Sequence, residues 1–350
     1  MLLQKGTDPK TEQPIWLVLG NDCLPVEPIQ QYLNHLVNLE RSPNTIESYA
    51  RWLKVYWEYL QRNKLDWRDV NIEDLSGYLR WLRIGDGNEA IRSEKTVNHA
   101  MTIVNVFYEF HTHRGNVGKD KKFTRYNLPV ETPRFKSFLS GIAKSKLTQK
   151  SLLKLKEPRK FPGCLTQQQI KALIKACNTQ RDKLIIKILY ETGMRKGELL
   201  GLRLEDMGDC GENEIAIVAR NNRNGARVKN SAERVLNVSK KVMQAYEDYL
   251  IDEYPDIEPD FVFVNIWGGE VGEPMNYRSL NHMLKQLQKK TGIYVYPHLF
   301  RHTHATELIR AGVDIYHVSK RLGHASISTT LNEYGHLTKE DLRVVIDEEE

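Results

Sequence analysis

Residues 191–203 read ETGMRKGELLGLR, and this corner decides how the rest of the chain is understood. The apolar run RDKLIIKILYETG predicts a helix ended by Gly193, and Glu-Leu-Leu begins another turn of helix directly after Gly197. A helix–turn–helix corner with its basic residues in water would account for the pattern. A sharper reading is that Arg195 is fixed at a tight backbone corner so that an anion can sit against it, with Leu199, Leu200 and Leu202 anchoring the corner from below.

Composition narrows the choices. A chain of 350 residues has room for two or three domains, and 40% hydrophobic residues is enough for packed cores. No apolar run approaches the ~20 residues that a membrane helix needs. The opening MLLQKGTDPKTEQ has neither an apolar signal core nor the look of a transit peptide. Cys23, Cys164, Cys177 and Cys210 lie far apart with no C-x-x-C pair, which argues against a zinc ribbon or disulfide framework and fits a reducing cytosol. The net charge of +6 is unevenly spread. Residues 119–160 carry 13 Lys/Arg against 3 Asp/Glu, leaving the remainder at −4. This segment is either a solvated linker or a polyanion contact, since basic side chains that neutralise phosphates release counterions.

Before the basic segment, PIWLVL predicts a short strand, and helices follow. Ser42 and Pro43 are an N-cap and first helical residue, ahead of Ile46, Tyr49, Ala50, Leu53, Trp57 and Leu60 at helical spacing. Val97, Ala100, Met101, Val104 and Tyr108 form a second such face. These aromatics read most simply as the core of a helical bundle ending near Gly115. The basic segment includes RFKSFLSGIAKSK, a candidate short helix. Beyond it, Thr166 and Gln169 have capping-box spacing, and EIAIVA and RVLNV flank the polar loop RNNRNGARVKNSAE as a hairpin. Five further helices are expected, so the second domain is mostly helical with one small sheet.

Four features of this domain carry chemistry. They are the corner with Arg195 and Glu198, Lys229 in the hairpin loop, His298 and Arg301 three apart at the start of PHLFRHTHAT, and His324 with Tyr334 in RLGHASISTTLNEYGHL. His298 and His302 have H-x-x-x-H spacing, but no Glu lies between them as zinc hydrolysis would need. Singly, each feature has a dull explanation as surface, cap or core.

Together, TGMRKGELLGLR, KNSAERVLNV, HLFRHTHATELIRAG, LGHASISTT and the Tyr of LNEYGHL resemble, in order and spacing, the tyrosine recombinases, the phage-integrase type of site-specific recombinase. SPNTIESYARWL resembles the opening of the family's core-binding domain, so the likeness spans nearly the whole chain. The N-terminal strand and long connector are more like those of a transposon-borne recombinase. The resemblance implies a mainly α fold with a small β-sheet: a helical core-binding bundle and a mixed α/β catalytic domain forming a C-shaped clamp on DNA. The expected divisions are an extension over 1–23, the DNA-binding bundle over 24–118, the basic connector over 119–160 and the catalytic domain over 161–350.

The resemblance also implies roles. Arg195 and Arg301 grip the non-bridging oxygens of a phosphodiester, His324 binds one of them, and Glu198 orients Arg195 from behind. Tyr334 is the nucleophile that forms a 3′-phosphotyrosine, with His298 as its proton acceptor or hydrogen-bond partner. Lys229 protonates the leaving 5′-oxygen, although Arg220, Arg223 and Arg227 share its loop. Lys229 is chosen because Arg234 follows it at the family's interval. The covalent bond conserves the phosphodiester energy, so no metal, nucleotide or other cofactor is expected. The partners implied are double-stranded DNA, a tetramer on two paired sites and accessory recombination proteins, in the cytoplasm and on the nucleoid when bound. Two other functions are open to the same residues: a topoisomerase using this tyrosine chemistry, and a non-catalytic DNA-binding protein on the same fold.

Overall fold

The computed structural model describes residues 1–7, 14–87, 89–118, 124–127, 148–158, 163–208, 213–228, 232–256, 260–268 and 270–334. The chain divides into two compact units, 1–159 and 160–350.

The first unit begins with an antiparallel pair, β1 (Leu2–Thr7) and β2 (Pro14–Leu19), in a register from Leu2 opposite Leu19 to Thr7 opposite Pro14. β2 is the strand expected from PIWLVL; its partner β1 was not expected. Four helices follow: α1 (Glu27–Asn38), α2 (Pro43–Arg62), α3 (Ile72–Ile84) and α4 (Glu94–His113). Ser42 caps α2 by accepting from the Thr45 amide, and Asn71 with Asp74 closes a capping box on α3. The aromatic residues are core, as their spacing indicates. Tyr32, Tyr56, Tyr78, Phe107 and Tyr108 are buried; the hydroxyls of Tyr56 and Tyr108 pair internally, whereas those of Tyr32 and Tyr78 find no hydrogen-bond partner among the described residues. Tyr56 and Tyr108 share a 2.7 Å hydrogen bond, and Tyr108 donates to the Trp67 carbonyl at 2.8 Å.

The basic segment carries a short antiparallel pair, β3 (Thr124–Asn127) and β4 (Thr148–Ser151), which its reading as a connector did not anticipate. The candidate helix RFKSFLSGIAKSK lies outside the described residues. The end of the segment is held to α4, because the Asn98 side chain donates to the Leu155 carbonyl and accepts from the Leu155 amide.

The second unit packs α5 (Gln167–Ala176), α6 (Gln180–Thr192), the single-turn α7 (Lys196–Leu200), α8 (Lys240–Asp252), α9 (Tyr277–Thr291) and α10 (Pro297–Arg310) around one apolar core. The hairpin is present as β5 (Glu214–Ile217) and β6 (Arg234–Asn237), with Ile215 and Leu236 paired inward. Thr166 and Gln169 form the expected capping box. α11 (Ile315–Leu322) and α12 (Ile327–Tyr334) close a smaller cluster of Ala305, Ile309, Val318, Leu322 and Tyr334. Among the described residues no helix is long and apolar enough to cross a membrane.

Candidate active site

The corner that opened the sequence is the junction of α6 and α7. Gly193 ends α6 in the left-handed region at φ +60°, and Arg195 is the N-cap of α7. Leu199, Leu200 and Leu202 are buried beneath it, each contributing roughly 1.5–3 kcal/mol of apolar transfer. The glycines are pressed on by distant parts of the chain. A Cβ on Gly197 would sit 2.6 Å from the Arg227 carbonyl oxygen and 2.9 Å from the Tyr277 hydroxyl. A Cβ on Gly193 would sit 2.9 Å from the His304 ring. Both positions are small because the chain's own elements press on them.

Arg195 is held from two sides. Its Nη1 donates to the Glu198 carboxylate at 2.9 Å and to the Leu322 carbonyl at 3.3 Å, and its Nη2 donates to the Gly323 carbonyl at 3.0 Å. Glu198 also accepts from the Arg195 amide and from both terminal nitrogens of Arg234. Burial alone would push this carboxyl up, but Arg234 and Arg195 hold it below the ordinary carboxylate value. Glu198 therefore stays ionised and acts as an anchor.

Arg301 comes from the first half of α10 and is 5% exposed. It donates to the Gly193 carbonyl at 3.0 Å and to the same Leu322 carbonyl at 2.7 Å. Burial, and then Arg195 beside it, lowers its pKa to about 10, which still leaves it cationic at neutral pH. The two candidate phosphate-gripping guanidiniums thus meet at one carbonyl oxygen. With Arg234 there are three guanidiniums around the single carboxylate of Glu198.

His324 lies just past Gly323, the left-handed end of α11. Its Nδ1 is 2.7 Å from the buried Thr330 hydroxyl. Burial, then Arg301, Arg195 and Arg234, pushes its pKa down to about 4. In the tautomer whose Nδ1 accepts from the Thr330 hydroxyl, Nε2 carries the proton and can donate to an anion.

Tyr334 ends α12 and is 3% exposed, packed in the cluster of α10 and α11. Its hydroxyl does not meet His298. It lies 2.9 Å from Nδ1 of His302, one turn further along α10. Tyr334 belongs to the cluster that α10 joins through Ala305 and Ile309, further along the helix than His298, and four residues of helix is a rise of about 6 Å. His298 is exposed on the same face as Arg301 and His302. Desolvation, then electrostatic repulsion from Arg301, His302 when protonated, Lys196 and Arg195, lowers its pKa.

Lys229 lies outside the described residues. Of its loop neighbours, Arg220 is committed to Asp206 and Glu205, and Arg223 pairs with Glu273. Sequence reasoning also passed over three residues that support the site. Arg234, which the sequence marks only by its interval from Lys229, is the ion-pair partner of Glu198; Thr330 is hydrogen-bonded to the ring of His324; His302, whose spacing from His298 suggests no more than a metal ligand, meets the Tyr334 hydroxyl. Spacing from His298 placed His302 on the correct face of α10, and that was the available signal.

Comparison with known proteins finds relatives along nearly the whole chain. The Phage integrase family matches residues 164–341, and the phage integrase N-terminal SAM-like domain matches residues 29–115. Transposase A from transposon Tn554 of Staphylococcus aureus is 38% identical over 340 residues, covering 94% of this chain and 92% of its own. Tyrosine recombinase XerD of Halalkalibacterium halodurans is 30% identical over 332 residues, covering 91% and 95%. Among solved structures, the Tn1549 transposon integrase in complex with a circular intermediate DNA is similar in fold. Its TM-score is 0.65 at 19% identity, over 92% of this chain and 99% of that one. A lambda integrase dimer bound to a core site has a TM-score of 0.60 at 10% identity, over 88% and 94%. The chain belongs to the phage integrase family and is a tyrosine-type site-specific recombinase.

Proposed function

We propose that the protein binds double-stranded DNA and breaks and rejoins it through a 3′-phosphotyrosine, moving a mobile element by integration, excision or transposition. The observation that carries this is the convergence of Arg195 and Arg301 on the Leu322 carbonyl, with Glu198 the one carboxylate that, among the described residues, pairs with Arg195 and Arg234. A phosphodiester brings one negative charge and its five-coordinate transition state two, so surplus positive charge is what the chemistry requires. Fixed donors of this kind are worth roughly 3–4 kcal/mol each at a developing oxyanion. Arg195, Arg301 and the Nε2 of His324 bind the non-bridging oxygens, and His298 adds a donor at the exposed rim. Tyr334 attacks phosphorus. Lys229 gives its proton to the departing 5′-oxygen, a reading supported by its described neighbours. The backbone of Arg227 presses on Gly197, and the Ala232 carbonyl accepts from Arg234.

Exchange between two duplexes breaks four strands, and each needs one tyrosine, so four protomers act on two paired sites, with accessory recombination proteins as further partners. The likeness to the Tn554 transposase and the Tn1549 integrase favours an element-borne role over a topoisomerase. The test uses nicked duplexes carrying the junction sequences that flank the protein's own gene. Wild-type protein should form a denaturant-resistant DNA adduct, and Tyr334→Phe should bind the duplex and form none. Recombinant product between two such sites is expected; relaxation of supercoils without exchange would identify a topoisomerase instead.

A further inference from the structure

We propose that His302 takes the proton from Tyr334 as the phenol attacks the phosphodiester, an assignment that rests on the reading of Tyr334 as nucleophile. The hydroxyl oxygen and His302 Nδ1 are 2.9 Å apart, and the two ring centroids are 5.5 Å apart. Nδ1 is the hydrogen-bond partner that the described residues offer the hydroxyl; His298, four residues earlier, makes no hydrogen bond with it. The phenol is buried, and burial, reinforced by Glu333 and opposed by Arg301, pushes its pKa well above that of a free tyrosine. An acceptor already in hydrogen-bond contact with the hydroxyl is the group placed to take that proton as attack begins.

His302 meets the requirements of that acceptor. Burial lowers its pKa, Glu333 opposes this and Arg301 adds to it, so the ring is neutral at neutral pH; in the tautomer with its proton on Nε2, Nδ1 accepts from the phenol. The charged and titratable groups around it are Arg301 and His298 on α10 and Glu333 and Tyr334 on α12. Glu333 favours the imidazolium that the transfer creates. In the cleavage step the Tyr334 Oη–P bond forms as the phenolic proton passes to Nδ1. The P–O5′ bond breaks, and the 5′-oxygen departs as a hydroxyl with the proton from the general acid assigned to Lys229. Rejoining reverses both transfers: the 5′-hydroxyl returns its proton to the acid, and the imidazolium returns its proton to the departing phenolate. The cycle consumes no proton.

The experiment measures the single-turnover rate of adduct formation on a nicked duplex as a function of pH. His302→Asn keeps a polar atom near the place of Nδ1 but cannot take up the proton. It should bind DNA with wild-type affinity, cleave roughly 10²–10⁴-fold more slowly, and lose the acid limb along which the rate rises as imidazole deprotonates. His302→Gln should behave alike, and DNA binding by either variant verifies folding. A fluorinated, more acidic tyrosine at position 334 should recover part of the loss in His302→Asn, which a purely structural defect would not allow. Wild-type rates with the acid limb intact, or slow cleavage that the fluorinated tyrosine leaves unchanged, overturns the assignment of His302 alone. Adduct formation by Tyr334→Phe removes the nucleophile assignment, and this proposal with it.

Discussion

Glu198→Gln tests the charge balance of the site most directly. The Glu198 side chain is buried, and its two oxygens accept from the Arg195 amide at 2.8 Å, Arg195 Nη1 at 2.9 Å, and Arg234 Nη1 and Nη2 at 3.3 and 2.8 Å. Glutamine has the same shape but one acceptor oxygen, so two of these four donors would face an amide NH2. Hydrogen bonds to charged groups contribute roughly 1.5–3 kcal/mol each, which puts the loss near 3–6 kcal/mol. Breaking one side of a buried ion pair costs about 3–5 kcal/mol. We expect about 3–4 kcal/mol, which for a unit of this size lowers the melting temperature by roughly 6–16 °C. The sign of the pH dependence is fixed by the lowered pKa of Glu198. The unfolded chain takes up the proton first as pH falls, so the wild-type stabilisation is complete above the ordinary carboxylate value of about 4.3. It is lost as pH drops through the folded value, and the gap between wild type and Glu198→Gln must close in acid. Thermal denaturation followed by circular dichroism at neutral and acid pH measures both. A loss below about 1 kcal/mol at neutral pH, or a gap that persists in acid, refutes the view that a charged Glu198 holds the arginines in place.

Gly197→Ala should destabilise the second unit by roughly 1–3 kcal/mol, because its Cβ meets the Arg227 carbonyl at 2.6 Å; an unchanged melting temperature would show that the 227 segment yields freely. Lys229→Ala should bind DNA normally and cleave slowly, and sulfur in place of the bridging 5′-oxygen should restore its rate, since a thiolate departs without a proton. Rescue of Arg227→Ala in its place would move the acid to that residue. In the first unit, His111 is buried, with Nε2 on the Pro28 carbonyl and Nδ1 on Asn116. Burial lowers its pKa from 6.5 to about 4. The unfolded chain protonates first, so stability is complete above pH 6.5 and falls by roughly 3 kcal/mol on acidification to about pH 4. Denaturant titrations at several pH values should show that slope in wild type and a flatter one in His111→Gln.

What the sequence revealed, and what it withheld, follows from the range of the interactions concerned. The α4 face of Val97, Ala100, Met101, Val104 and Tyr108 was legible because a 3.6-residue period is a local signal. β2 was legible for its apolar run. β1, Leu-Leu-Gln-Lys-Gly-Thr, was not, since what makes it a strand is its register against residues 14–19. The same division runs through the site. Arg195 and Glu198 sit three apart on one turn, and their pairing is local. Arg234 reaches Glu198 from 36 residues away, and no spacing encodes that. The glycines at 193 and 197 announced a tight corner without saying what presses on it, because His304, Arg227 and Tyr277 arrive from distant elements. Spacing put His298 and His302 on one face of α10, but the choice between them depends on where the Tyr334 ring docks, among Ala305, Ile309, Val318 and Leu322.

The way the arginines are held bears directly on what they can bind. Arg301 donates to the carbonyls of Gly193 and Leu322, Arg195 to those of Leu322 and Gly323, and Arg234 to that of Arg321. All four carbonyls belong to helix ends, where α6 and α11 stop at glycines in the left-handed conformation. The last carbonyls of a helix have no partner within it and carry the negative end of its dipole. Guanidiniums satisfy those orphan acceptors and are oriented in return, with no further carboxylate needed beyond Glu198. Each guanidinium has five donors, so the carbonyls fix the geometry while N–H groups remain for a ligand. Neutral acceptors position a cation without cancelling it. A carboxylate in place of any of these carbonyls would grip its arginine as firmly and neutralise the charge that a phosphodiester, on its way to a second negative charge, has to find waiting.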